Sequence, residues 1–214
     1  MGPEGSMLKL SENGNDFWAL DNSSYKNNGY FVDLGAGDGI TGSNTFILEK
    51  FYKWNGLCVD PNPTFLKSLC GSRDVLISDL AVSKESGKVV DFKYLAQNRN
   101  EFFGWNFRSG ISSNVDDTSV NFDNHKVFTI TLTDLLDLYK APKEIDYISI
   151  DIEGSEIDAL EGFDFSKYHV RNFSIEFNND NNRKKGFEIM KNNQYVTVDS
   201  TNMNEDRFIK QLFS

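Results

Sequence analysis

Basic side chains are the minority charge in this chain. The 214 residues carry 22 Lys and Arg against 32 Asp and Glu, a formal net charge of −10. Nucleic-acid binding rests mainly on Lys and Arg at phosphates, so this balance argues against a nucleic-acid partner. Cysteine is scarce too. Cys58 and Cys70 make no disulfide framework, and Cys58, inside Leu57-Cys58-Val59, reads as a small buried hydrophobe. A reducing, cytoplasmic setting fits. No apolar run is long enough to span a bilayer and no secretory signal is visible, so no membrane role is expected. There is no internal repeat. Residues 1–6 read as a cloning remnant ahead of a natural start at Met7, and residues 7–214 as one domain with a full core.

What is present is an alternation of strands and helices. Residues 30–34 are an apolar strand, and 43–54 have helical spacing (Phe46, Ile47, Lys50, Phe51, Trp54) up to a stop at Asn55-Gly56. Residues 57–59 read as a second strand, 63–69 as a short helix with Pro63 near its start, and 75–77 as a third strand. This predicts an α/β fold with a parallel sheet and helices on both faces. Residues 81–92 then read as a hairpin around Glu85 to Gly87. Residues 97–124 have no period and carry Phe102, Phe103, Trp105 and Phe107, which points to a lid or an acceptor-binding wall. Order resumes with a strand at 127–131, a helix capped by Thr133 through 139, and a strongly apolar strand at 145–150. A helix from an N-cap at Ser155 to 160 follows, then a strand at 173–177 and a helix at 183–191. Closing strands are expected at 195–198 and 207–212. The asparagine clusters near 178–182 and 192–193 are loop and helix-end chemistry.

The first strand runs into Asp33-Leu34-Gly35-Ala36-Gly37-Asp38-Gly39, a turn in which glycine lets backbone come close to a nucleotide-like ligand. A dinucleotide fingerprint needs Gly-x-Gly-x-x-Gly, and Ile40 stands at the third glycine position. Asp33 and Asp38 make the loop acidic. That repels a pyrophosphate and suits a cationic sulfonium and ammonium, so the loop favours S-adenosylmethionine. Gly35 and Gly37 would approach the ligand. Asp60, ending the second strand, is placed to accept from ribose hydroxyls, and Asp79, after the third strand, to accept from the adenine amine. Ser43, with helix N–H groups, is placed to hold a carboxylate. Each has a plainer alternative: a turn aspartate before Pro61, a loop aspartate, and an N-cap serine.

A second cluster follows the strand at 145–150: Asp151-Ile152-Glu153-Gly154-Ser155-Glu156. Ligands of open α/β sheets bind beyond the carboxyl ends of the strands, which puts Asp151 beside the reactive end of the cofactor. Asp151 and Glu153 share a face if the chain stays extended. Crowded carboxylates raise one another's pKa, which suits a general base. Plainer readings are helix-dipole compensation for Glu156 and a solvated loop for Glu153. Glu176, at the end of the next strand, would neighbour Asp151. The two are weak candidates for a divalent cation through oxygen ligands. Of the histidines, His125 borders the irregular segment and is a candidate base, while His169 reads as structural.

These residues resemble the FkbM family of S-adenosylmethionine-dependent methyltransferases. The resemblance rests on Val32 to Gly39, on Asp60-Pro61-Asn62-Pro63, on Ala81-Val82-Ser83, on Thr131-Leu132-Thr133-Asp134-Leu135-Leu136, and on Ile150-Asp151-Ile152-Glu153-Gly154-Ser155-Glu156. Asp60 stands where the family more often shows Glu; both can bind ribose. The resemblance implies a class I, Rossmann-like methyltransferase fold with a mostly parallel seven-stranded sheet. It also implies methyl transfer to oxygen, often a hydroxyl of a sugar or polyketide, as in polysaccharide biosynthesis. The expected acceptor is a small molecule, a glycan or a nucleotide-linked sugar. Asp151 would act on it, assisted by Glu153, Glu156 or Glu176. Three other readings stay open: metal-assisted transfer, a non-catalytic cofactor-binding module in a biosynthetic complex, and a nicotinamide oxidoreductase. Oligomeric state is not legible.

Overall fold

The structure is a computed structural model and describes residues 11, 13–95, 109–113, 122–200 and 205–211. A seven-stranded sheet forms its centre. The strands are β1 (Tyr30–Leu34), β2 (Asn55–Val59), β3 (Leu76–Ser78), β8 (Glu144–Ile150), β9 (His169–Glu176), β10 (Tyr195–Ser200) and β11 (Glu205–Lys210), ordered β10-β11-β9-β8-β1-β2-β3. Pairing is parallel from β3 to β9. β11 alone runs antiparallel, between β9 and β10. The expected α/β architecture with a mostly parallel sheet is therefore present.

Alternate residues of these strands build two cores, one on each face of the sheet. Val32, Leu34, Ile148, Ile150, Phe173 and Ile175 pack with α4 (Leu132–Leu138) and α5 (Glu156–Glu161), and with α6 (Asp180–Asn192) through Met190. Phe31, Cys58 and Tyr147 face the other way, against α1 (Asn15–Asn22) and α2 (Phe46–Tyr52), and against α3 (Pro63–Ser72) through Leu69. Cys58 is fully buried, as expected of a small hydrophobe.

Local expectations differ from the structure in several places. α1 was not foreseen; its eight residues NDFWALDN are mixed in polarity and it starts at Gly14 without a side-chain cap. Asn55-Gly56, read as a helix stop, opens β2. Thr131, not Thr133, caps α4, accepting from the Asp134 N–H at 3.0 Å. Thr133 instead donates to the Gly162 carbonyl at 2.9 Å and accepts from Asp164 N–H at 2.7 Å. Residues 81–92 contain β4 (Ala81–Val82) and β5 (Val89–Tyr94), but these do not pair as a hairpin. β7 (Asp123–Ile130) lies between them, in a second sheet of order β4-β7-β5-β6 with β6 (Ser109–Ile111). Thr129 draws the connection onto itself, accepting from Gly87 N–H at its carbonyl and donating its hydroxyl to the Glu85 carbonyl. Of the expected lid at 97–124, only 109–113 and 122–124 are among the described residues. The cloning remnant at 1–6 and residue 212 also lie outside them.

Glycine in α6 shows packing overriding helix propensity. A Cβ on Gly186 would stand 2.3 Å from the Phe177 ring, whereas one on Gly71 in α3 would meet nothing within 4 Å. Gly186→Ala is expected to destabilise by about 1–2 kcal/mol, overpacking outweighing the propensity gain. Gly71→Ala is expected to be neutral or stabilising by up to ~0.5 kcal/mol. Urea denaturation of the two variants checks the opposite signs.

Candidate active site

The glycine loop leaves β1 at the carboxyl end of the sheet. Gly35 has φ 87° and Gly37 φ 55°, backbone that favours glycine. A Cβ on Gly35 would lie 1.7 Å from the Asp151 carbonyl oxygen, and the Asp151 N–H donates to the Leu34 carbonyl at 3.0 Å. The loop and the acid cluster thus abut, backbone to backbone.

Asp60 is buried, 4% exposed, and ties the loop to β2. One carboxylate oxygen accepts from Gly37 N–H and the other from Asn62 N–H, both at 2.8 Å. Burial raises its pKa to about 6, with the two amides opposing. Each oxygen keeps lone-pair capacity for a ribose hydroxyl. Residues 33–45 contain no Lys or Arg, so this donor and acceptor set fits an uncharged ribose and a cationic sulfonium far better than a pyrophosphate. Ser43 is buried and turned inward, accepting from Thr45 N–H at 3.3 Å and Phe46 N–H at 3.1 Å. Thr45, not Ser43, is the N-cap residue of α2, and Ser43 holds the turn just ahead of it. Asp33 is buried and accepts from the Thr45 hydroxyl at 2.6 Å. Asp79 lies exposed after β3.

On the acid side, the parallel register brings Ile150 opposite Ile175, and the antiparallel register brings Glu176 opposite Glu205. Asp151 just past β8, Glu176 at the end of β9 and Glu205 at the start of the antiparallel β11 therefore stand side by side on one face, the face that carries Ser149 and Ser174 a step below. Burial raises the Asp151 pKa well above the carboxylate range, and Glu176, Glu153, Glu156 and Glu205 push it further up. Glu205 was missed by sequence reading, which began β11 two residues later. Asn15 donates its amide to Glu205 and accepts from Arg207 Nε at 2.9 Å, so α1 covers this corner. Asn15 also reaches Asn44, which donates to Ser149 at 2.9 Å.

The extended chain that would put Glu153 on the face of Asp151 is not present. The chain turns instead of staying extended: Glu153 has φ 53° and Gly154 φ 107°. The turn is held by Glu156, fully buried, whose Oε1 accepts from Gly154 N–H at 2.7 Å. Ser155 makes no side-chain cap to α5, so the Glu156 carboxylate turns back on the loop in its place. Its other oxygen, Oε2, has no partner among the described residues, and burial raises its pKa to about 7. His125 is on β7 in the second sheet, stacked on Phe92 at 5.7 Å and tilted against Tyr94 at 5.4 Å, both on β5. His169 begins β9. Beside the Glu153-Gly154 turn, a cleft of about 310 Å³ is lined by Gly154, Asp158, Asn178, Asn179, Asn182 and Lys185. Among the described residues, no group of three or more His, Cys, Asp or Glu converges as a metal site would.

A family model described as the methyltransferase FkbM domain matches residues 33–208. The chain belongs to the FkbM methyltransferase family. No curated protein matches it. Similar solved structures include the N-terminal domain of human METTL16, at 10% identity and TM-score 0.50, covering all of this chain and 73% of that one. Another structure of the METTL16 MTase domain has 9% identity and TM-score 0.51 over 92% of this chain and 66% of that one. A third is a precorrin-6y C5,15-methyltransferase from Geobacter metallireducens GS-15, at 11% identity and TM-score 0.48 over 96% and 91%. The METTL16 likeness is one of fold, and with the family match it makes this a class I methyltransferase, a fold that implies S-adenosylmethionine. Among the described residues no helix is long and apolar enough to cross a membrane.

Glu156 gives this FkbM-family protein a measurable pH signature. Its folded pKa, about 7, lies above the ordinary value of 4.5. The stability carried by its proton is complete below pH ~4.5 and is lost as pH rises through ~7, at most about 3 kcal/mol. Glu156→Gln keeps an acceptor for Gly154 and has no charge to bury. It is expected to match wild type at pH 4.5 and to exceed it by about 1–3 kcal/mol at pH 8 in guanidinium unfolding.

Proposed function

We propose that this methyltransferase transfers a methyl group to a hydroxyl of a sugar or glycan, with Asp151 as the group that orients and deprotonates that hydroxyl. The observation that carries the reading is the placement of Asp151. It is a half-buried carboxyl with a raised pKa just past the end of β8, in backbone contact with Gly35 of the glycine loop. S-adenosylmethionine, when bound, supplies an electrophilic methyl on a sulfonium. Gly35, Gly37 and Asp60 would hold its adenosine, and Asp79 is the candidate for the adenine amine. Positioning provides much of the rate in such a displacement. Asp151 accepts the hydroxyl proton, and its raised affinity for that proton suits the task. Glu176, its neighbour across the sheet, is the candidate for holding an adjacent hydroxyl.

The surroundings favour an uncharged polyol. Four carboxylates, Glu176, Glu153, Glu156 and Glu205, act on Asp151, which favours a free sugar hydroxyl over a nucleotide-linked sugar, whose phosphates they would repel. The asparagine-lined cleft beside Gly154 supplies amide donors and acceptors of the kind that bind hydroxyls.

Calorimetry is expected to show S-adenosylhomocysteine binding and no competition by NAD. Transfer of radiolabelled methyl from S-adenosylmethionine to a panel of saccharides then tests the acceptor. Asp151→Asn is expected to bind S-adenosylhomocysteine within about twofold of wild type and to lose roughly 10²–10⁴ in turnover. Wild-type turnover is expected to rise with pH as the Asp151 carboxyl ionises, a limb absent from the variant. Full turnover by Asp151→Asn would remove Asp151 as the base.

A further inference from the structure

Arg73 was not singled out by the sequence, yet it makes more contacts with the cofactor loop than any charged residue expected to bind there. It follows directly on α3 and is 4% exposed. Its Nε donates to Glu49. One terminal nitrogen donates to the Gly39 carbonyl at 3.3 Å and the Ser43 hydroxyl at 3.4 Å, and the other to the Thr45 hydroxyl at 2.9 Å. Thr45 in turn donates to Asp33 Oδ2 at 2.6 Å. The guanidinium lies over the rings of Phe31, at 5.4 Å, and Phe46, at 5.9 Å. Glu49 is itself clamped by Asp74 N–H at 2.8 Å and by Lys50 at 2.7 Å.

A buried guanidinium is costly unless its charge and its donors are all met. Here Glu49 and Asp33 supply the countercharge, and the loop supplies the remaining acceptors. One planar group therefore joins both ends of the turn: Gly39 and Ser43 directly, and Asp33, where the turn leaves β1, through Thr45. Only Arg presents several donors in a fixed plane; Lys would serve one acceptor as a point charge. We propose that Arg73 is the positioning residue of the cofactor loop, and that Asp33 acts on the loop through Thr45 and Arg73 rather than on the ligand.

This inference rests on the cofactor reading above, and two ligands separate the possibilities. S-adenosylhomocysteine carries an amino-acid ammonium; 5′-methylthioadenosine has the same adenosine and lacks it. Calorimetry on Asp33→Asn, Arg73→Lys and the double variant is expected to show both ligands weakened by the same factor, about tenfold or more. The double variant is expected to lose no more than the weaker single one, because the two residues act as one unit. If Asp33→Asn weakens S-adenosylhomocysteine and spares methylthioadenosine, Asp33 touches the ammonium and the inference fails. It also fails if the two losses simply add, or if Arg73→Lys lowers the melting temperature while both affinities stay at wild-type values, as a purely structural arginine would do. Should Arg73→Lys not fold, Thr45→Val breaks the link to Asp33 and leaves the Arg73–Glu49 pair in place. Equal loss for both ligands supports the inference, and unchanged affinities overturn it. Wild-type protein that binds neither ligand overturns the cofactor reading, and this inference with it.

Discussion

The site depends on how closely β1 and β8 approach at their carboxyl ends. The two strands run parallel in register, and the last rung passes from the Leu34 carbonyl to the Asp151 N–H. Beyond that rung the Gly35 backbone lies against the Asp151 carbonyl with no room for a side chain. The glycine loop after β1 and the acid-rich loop after β8 thereby become parts of one wall. Any residue other than glycine at position 35 would have to push them apart, and positive φ there adds strain to the clash.

Around that contact the protein handles its charges in two different ways. Beneath the glycine turn, Arg73 is the countercharge of Asp33 and Glu49, and two backbone amides oppose the burial that raises the Asp60 pKa. At the other loop, Asp151, Glu176 and Glu205 stand side by side at one end of β8, β9 and β11, and burial together with these neighbours makes Asp151 hold its proton more tightly. Glu156 also raises the Asp151 pKa, but from the loop rather than from a strand end. It spends one oxygen on the turn that re-aims Glu153, so its charge is the cost of a loop shape.

Much of the sheet was legible because buried parallel strands are short apolar runs bounded by glycine, proline and asparagine, and 30–34, 57–59 and 145–150 have that form. The elements that were misread have weak local signals. α1 has no cap and little periodicity, and it is held instead by Asn15 reaching Asn44 and Glu205. Residues 81–92 look like a hairpin because Gly87 is a turn residue between two β-prone runs. The pairing was decided by β7, some forty residues away, whose Thr129 captures the connection. Among site residues, Gly35, Gly37, Asp60 and Asp151 sit where strand ends put them. Arg73 and Glu205 carried no motif, since an arginine after a helix or a glutamate opening a strand has an ordinary surface reading.

The sequence by itself determined the run of strands and helices from β1 to β3 and from α4 to α6, the glycine turn, the family, and the placing of Asp60 and Asp151 on the carboxyl edge of the sheet. These follow from local backbone preference and strand direction, which neighbouring residues carry. Only the tertiary structure decided which carboxylates are neighbours and which are spent. It placed Glu205 beside Glu176 by antiparallel register, turned Glu156 back onto its own loop, and set Arg73 beneath the glycine turn. Those outcomes depend on contacts between residues far apart in the chain. No local pattern encodes how much water each charge loses when they meet.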